Sequence, residues 1–483
     1  MNSVTRPVLS LNKRDEVEAI EEPVIMLDRF EVLLPCRRFQ VTYKVAEKGG
    51  VSLTGEFLLR LLYAVERMEE SAIAEFFGFD SREMAFVMTE MTARDYVVRN
   101  DGYVWITPIG RRLFSDNSGK PQIVSVEKRT ERFDFDLLSL CPQGQENLNR
   151  FAMKLPPLHA ADNERVANAS REIPQAFERH FAEFESLKRQ LGKQRFLYSI
   201  DSVSAEQKFL AVVPVRMMAQ GGRSGDARAD LSEWRNSHEL EDRVEVATAV
   251  ATFLDGLKQG PHMYDSWAYD QLLALAPEFL QDFARRDGLA VDRYHKSAVS
   301  RAGDLRADRL TVPLVGSLFT PPNVERLLVA IKYGVKRLED SADGDEAIAW
   351  PEHLFWLAPK GAGGHWGKTR ALPNTLYAIR QALQRKGTEP PEELLTTIGV
   401  RPYRERSSRG GVMEEFSELR FINEHTVPSP NFELLCIPSV AVAALVHVPI
   451  KSQYGFPVPL GLLSFHPEVV ARAEAYFNDL SRH

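Results

Sequence analysis

Two stretches of this chain carry residue types whose spacing can do chemistry. In AGGHWGKT, Ala362 to Thr369, a glycine-rich segment ends in Lys368 and Thr369. A phosphate-binding loop of this form cradles phosphates on backbone N–H groups, reaches the terminal ones with its lysine and holds magnesium on its hydroxyl. It must run straight from a strand into a helix whose N-terminus faces the phosphates. Pro373 follows Thr369 by only four residues, and the apolar period of the next helix starts at Leu376. The sequence therefore predicts a helix beginning at Pro373 and a long loop before it. His365 and Trp366 are bulky where phosphates would lie, and the apolar runs LLCIP and AALVHVP offer no aspartate for magnesium. The second stretch, SIDSVSAEQKFLAVV, sets Asp201, Glu206 and Lys208 in a carboxylate–carboxylate–lysine order. Such a set holds magnesium between two acids while the lysine positions water. Here the three fall at an expected polar turn between two strands, RFLYSI and KFLAVVPV, which accounts for them without a metal. The eleven histidines show no HExxH or HxxxH spacing, and no G-x-S-x-G elbow occurs. The sequence thus assigns no catalytic residue, no metal ligand and no cofactor.

Arginine-rich loops carry a different chemistry. RPYRERSSRGG holds Arg401, Arg404, Arg406 and Arg409 with Tyr403 among them, GGRSGDARAD adds Arg223 and Arg228, and HWGKTR adds Lys368 and Arg370. Arginine interleaved with an aromatic suits phosphate contact and base stacking. The whole chain, however, has a net charge of −7 over 483 residues, so nucleic-acid contact has to be a local patch. Cys36, Cys141 and Cys436 lie far apart with no CxxC spacing, which fits a reducing compartment and no cysteine metal site. The first residues lack the apolar core of a signal peptide. The longest apolar run, Phe432–Ile450, contains Glu433, Pro438, His447 and Pro449 and reads as two buried strands about Pro438-Ser439 rather than a membrane helix. A cytoplasmic protein without membrane insertion is expected.

The elements that must position these residues divide the chain into a strand-containing lead-in (1–50), a helical block (51–118), strands and a hinge (119–150) and a larger α/β domain (151–483). Arg29–Val45 is strand-like, with Pro35 interrupting it, and Ile123–Leu138 is a second strand. The hinge is expected near Cys141–Arg150. Phe177, Phe181, Phe184, Leu187 and Leu191 lie on one face of a long helix that Gly192 stops. Helices are predicted over about His238–Leu257 and Ser266–Arg286. Further on, RLTVPLVG then Thr320-Pro321 and an apolar helix face, followed by HLFWLAP and another helix, give strand-then-helix units. The fold class is mixed α/β, or α+β.

The block 51–118 is the most specific local pattern. TGEFLLRLLYAVER is a first helix and SAIAEFFG a second, stopped by Gly78. DSREMAFVMTEMTARD is a third, with Asp80 and Glu83 spaced as a reciprocal capping box. YVVRNDGYVWIT makes two strands about Asn100-Asp101-Gly102, and Thr107-Pro108 starts a last helix. Three helices followed by a β-ribbon resemble the winged-helix domain of bacterial regulators and defence proteins. The resemblance implies a third helix in the major groove of DNA, with Arg82, Thr89 and Arg94 reaching bases or phosphates. Arg99, Asn100, Arg111 and Arg112 would flank it along the backbone. From Val51 to Val98 nine acidic residues face four arginines, which opposes phosphate contact. The whole arrangement is similar to accessory proteins of bacterial anti-phage defence systems, including the Zorya type. That resemblance implies a non-catalytic DNA-recognition or accessory component acting with other proteins of its system. The alternatives are a protein-binding scaffold docking through the winged helix, or an atypical metal-dependent nuclease or NTPase.

Overall fold

The computed structural model describes residues 24–48, 52–114, 121, 124–160, 163–187, 195–221, 227–235, 242–286, 288–301, 303, 305–341, 350–359, 365–384, 396–402, 412–422, 428–450 and 454–482. They form two compact units, each discontinuous in sequence: one holds 36–145 and 162–209, the other 1–35, 146–161 and 210–483. Two long strands, β1 (Val24–Lys48) and β6 (Arg195–Gln220), run from one unit into the other.

In the unit of 36–145 and 162–209, β1 pairs antiparallel with β5 (Val124–Asp136), from Cys36 opposite Asp136 to Lys48 opposite Val124. Phe39, Val41, Tyr43 and Val45 alternate onto one face with Phe133 and Phe135, as a half-buried strand pair requires. The helix α6 (Ala169–Leu187, after the short α5, Asn163–Ala167) covers that face with the expected stripe Phe177, Phe181 and Phe184. Leu191 and Gly192 lie outside the described residues. Inserted between β1 and β5 are α1 (Leu53–Val65), β2 (Arg67–Glu69), α2 (Glu70–Phe77), α3 (Ser81–Ala93), β3 (Val97–Asn100), β4 (Tyr103–Ile106) and α4 (Pro108–Arg112). Their ends form for the reasons the sequence gives. Gly78 takes φ +70 at the end of α2, Asp80 and Glu83 complete the capping box of α3, and Asp101 and Gly102 supply positive φ between the strands. Thr107 caps α4 by accepting the Gly110 N–H. The strands order as β2-β4-β3, all antiparallel neighbours, over a core of Leu58, Leu62, Ile73, Val87, Met88, Met91 and Val104.

The other unit is built on a seven-stranded sheet, ordered β10-β16-β15-β14-β11-β12-β13. The strands are β10 (Thr311–Val315), β11 (His353–Leu357), β12 (Thr396–Pro402), β13 (Glu418–Ile422), β14 (Phe432–Ile437), β15 (Ala441–Val448) and β16 (Val458–Ser464). β11, β12 and β13 pair in parallel, and the other neighbours are antiparallel, so the sheet is mixed. Helices cover both faces. Leu435, Ile437, Ala443 and Leu445 face α12 (Pro321–Ser341) and α13 (Ala371–Ala382), while Leu434, Cys436, Ala444 and Val446 face α9 (Asp265–Leu275), α11 (Val291–Ser300) and α14 (Pro467–Arg482). A hairpin buried on both faces reads as continuous apolar sequence, so Phe432–Ile450 is two core strands turning at Pro438-Ser439, as expected. Among the described residues no helix is long and apolar enough to cross a membrane.

Three local expectations are corrected. RFLYSI and KFLAVVPV are one continuous strand of 26 residues with no turn between them: the strand runs on through Ser202–Gln207 beside β1, with Asp201 paired to Lys44 and Lys128 and Glu206 to Arg132. Pro35 does not interrupt β1: it falls between the bonds of Leu33 to Pro156 and Leu158 and the start of the β5 register. The helix after the glycine-rich loop starts at Ala371, and Pro373 sits in its first turn, where a missing N–H leaves no intrahelical bond unmade.

Candidate functional site

The phosphate-loop residues His365 to Thr369 are arranged around packing. Trp366 is buried against Phe319 and Trp356 in the sheet's core. Gly367, at φ +69, turns the chain so that the backbone N–H of Lys368 donates to the His365 carbonyl and that of Thr369 to the Gly367 carbonyl. The Thr369 hydroxyl accepts the Ala371 N–H at 3.2 Å. The position a phosphate would take at the start of α13 is filled by a carboxylate of the protein itself. Glu31, 1% exposed on β1, accepts the Arg370 N–H at 2.6 Å and its Nε at 3.1 Å, and donates its own N–H to the Lys368 carbonyl. A negative group there satisfies an orphan donor and the positive end of the helix together. Arg370 also lies 3.9 Å from Glu146. Ala362 to Gly364 lie outside the described residues.

Asp201, Glu206 and Lys208 stand along β6. Five residues of strand separate the two acids by about 16 Å, too far to share an ion. Burial pushes the Asp201 carboxyl up, but bonds and charges from Lys128 at 3.3 Å and Lys44 at 3.5 Å hold it below its ordinary range. Glu206 pairs with Arg132 at 3.1 Å. Among the described residues no cluster of His, Cys, Asp and Glu could hold a metal ion.

In the helical block, Arg82 lies in the first turn of α3, Thr89 midway and Arg94 at its end, all exposed. The Thr89 hydroxyl donates to the Ala85 carbonyl at 2.7 Å. Arg99 pairs with Glu70 at 2.5 Å and Arg111 with Glu66 at 3.2 Å; Asn100 donates to Asp101, and Arg112 is exposed. From residue 51 to 114 there are ten acidic residues and seven arginines. Of the arginine loops, Arg401 lies in β12, Arg228 in β7 (Arg228–Asp230), and Arg223, Tyr403, Arg404, Arg406 and Arg409 lie outside the described residues.

The structure also brings together residues that lie far apart in the sequence. A cleft in the sheet unit is lined by Asp28, Arg29 and Phe30 of β1, Ser317 and Phe319 before α12, His365 to Gly367, His447 of β15, and Phe456. It encloses about 410 Å³ including its open mouth. Beneath it, His447 Nε2 lies 2.6 Å from Glu433 Oε2, and Glu433 Oε1 accepts the Trp356 indole N–H at 2.9 Å. Burial pushes the Asp28 carboxyl up to about 6, against bonds from Ser317 and the Arg29 N–H and the nearby His447. Burial, with the charge of Lys368, brings His365 down to about 4. Glu433 and His447 were legible as the two polar interruptions of an apolar hairpin. In its register Glu433 faces Leu445, which places His447 diagonally beside it on the same face. Asp28 and Ser317, distant in sequence, gave no such signal.

No family model, curated protein or solved structure matches this chain.

Proposed function

We propose that this chain is a recognition component with no reaction of its own, and that residues 51–118 are a winged helix that docks on a protein partner. The order α1-β2-α2-α3-β3-β4, with β4 between its neighbours, supports the winged-helix reading. The observation that carries the docking reading is the outward face of α3. At 100° per residue, Arg82, Ala85, Phe86, Thr89 and Ala93 fall on one side, opposite the buried Met84, Val87, Met88 and Met91. Phe86, 67% exposed, occupies the middle of that face, and Thr89 spends its hydroxyl on its own helix. A protein surface covers such a side chain, whereas a DNA groove offers it little beyond a thymine methyl. The paired Arg99 and Arg111 and the acidic excess of the block oppose phosphate as well. The resemblance to accessory proteins of anti-phage systems supplies the setting, in which the partner is encoded by a neighbouring gene. DNA recognition is the second reading, favoured by Arg82, Arg94 and Arg112, which are exposed without an ion pair among the described residues.

Co-expression of the full chain with the products of neighbouring genes tests this. A complex of fixed stoichiometry in size-exclusion chromatography is expected, lost in Phe86→Asp and kept in Arg99→Ala. Loss in Arg99→Ala with retention in Phe86→Asp would move the interface off α3 and onto the wing.

A further inference from the structure

Three residues that line the cleft each carry a buried polar atom with no hydrogen-bond partner among the described residues: Arg29 Nε, Trp366 Nε1 and His365 Nδ1. Trp366 is 7% exposed, so its indole N–H is a buried donor with no acceptor among the described residues. An orphaned buried donor costs on the order of 1–3 kcal/mol, and two of them, the Arg29 Nε–H and the Trp366 indole N–H, belong to residues lining one cleft. Arg29 keeps its guanidinium in place through Glu233 at 2.7 Å, which leaves the Nε–H unengaged. Aromatic walls surround these donors: Phe30 meets Phe456 edge-on at 6.0 Å, and Phe319 packs against Trp366.

We propose that this cleft binds an oxyanion, the carboxylate or phosphate end of a small molecule, through the N–H groups of Arg29 and Trp366 with His365 beside them. An acceptor satisfies both orphan donors, and the guanidinium supplies the opposite charge. The floor has room for about one water-sized group, so one oxygen of the anion enters while the rest of the ligand occupies the mouth. Asp28 is the group that sets the conditions. It faces Arg29 on its own strand, Ser317 from the turn before α12, His447 and Glu433 from the hairpin, and the loop carrying His365 and Lys368. Ionised, it repels the anion; protonated, it does not. Anion binding therefore takes up a proton, and affinity rises by up to about tenfold per pH unit on acidification through the Asp28 range.

Acetate and inorganic phosphate are the probes, titrated against the full chain by calorimetry and by thermal shift at pH 5.5 and 7.5, with acetamide as the neutral control. Saturable binding of either anion, tighter at pH 5.5 by at least tenfold, is the expected result, and the tighter of the two identifies the headgroup. Asp28→Asn should bind at pH 7.5 as well as the unmodified chain does at pH 5.5. Trp366→Phe, which keeps the ring packing, should weaken binding two- to tenfold at both pH values. Equal binding of acetamide, an unchanged affinity in both variants, or no saturable binding of either anion at pH 5.5 would overturn the proposal and leave a cleft filled by water.

Discussion

Asp28 is the carboxylate of the cleft, and burial takes it away from its ordinary form. Its native carboxyl titrates at about 6 instead of 3.8, so between those values the folded chain holds a proton that the unfolded chain has released. Stability then falls as pH rises through that window, and ionised Asp28 costs about 3 kcal/mol at neutral pH by the linkage of pKa to stability. His365 acts in the opposite sense. Its native value near 4 lies below its ordinary 6.5, so its contribution is whole above pH 6.5 and is lost on acidification towards 4. Asp28→Asn keeps acceptor and donor atoms for Ser317 and the Arg29 N–H but removes the charge. Urea unfolding at pH 4.5, 6.0 and 7.5 should show the variant more stable than the parent at pH 7.5, with the gap closing by pH 4.5. A gap that is constant with pH would mean that Asp28 does not titrate in this range. At this scale the sequence was legible where a residue broke a pattern, as Glu433 and His447 break an apolar hairpin. It was illegible where a partner came from afar: nothing near Thr369 announces that Glu31, more than three hundred residues earlier, supplies the anion for α13.

At the scale of elements, local chemistry read well and continuity read poorly. The capping box at Asp80, the stop at Gly78 and the Asn100-Asp101-Gly102 turn are set by residues within four positions of each other, so each is visible in a short window. The polar run Asp201–Lys208 looks like a turn in the same window. It is strand because Lys44, Lys128 and Arg132 of other strands pair with its acids. The central hairpin shows how tightly one element constrains the next. Gly461 of β16 faces Leu445, and its carbonyl accepts the Tyr294 hydroxyl at 2.8 Å. A Cβ at this position would run into the Ala444 carbonyl oxygen and lie 2.9 Å from the Leu445 Cα, backbone atoms that cannot swing aside. Gly461→Ala should therefore cost about 3 kcal/mol or more, at the upper end of overpacking penalties. Gly144→Ala, where a Cβ meets nothing within 4 Å, should stay within about 0.5 kcal/mol of the parent. Thermal unfolding of both variants checks the contrast, and equal midpoints would show that β15 and β16 have slack between them.

At the scale of the whole molecule, charge decides between partners. A net charge of −7, and an acidic excess of three within residues 51–114, place any bound DNA in a repulsive field except where unpaired arginines gather. Phosphate contacts announce themselves through counterion release, each adding about one unit to the slope of log affinity against log salt. Arg99 and Arg111 already neutralise Glu70 and Glu66, so Arg99→Ala and Arg111→Ala should change that slope little. The arginines of RPYRERSSRGG stand in a run with a single acid among them. Arg401, Arg404, Arg406 and Arg409 changed together to Ala should accordingly remove most of whatever low-salt DNA affinity the chain has, equally for all sequences. A mobility-shift series on duplex and single-stranded DNA between 50 and 200 mM salt, conditions over which phosphate contacts weaken binding by orders of magnitude, measures both quantities. With docking on a protein as its task, the unmodified chain should show weak binding that is gone by the upper end of that range. Retention there, with a steep slope lost when Arg82, Arg94 and Arg112 become Ala, would instead put α3 in a groove. Phe86 would then lie against base edges, and the protein-docking reading would give way to recognition of DNA.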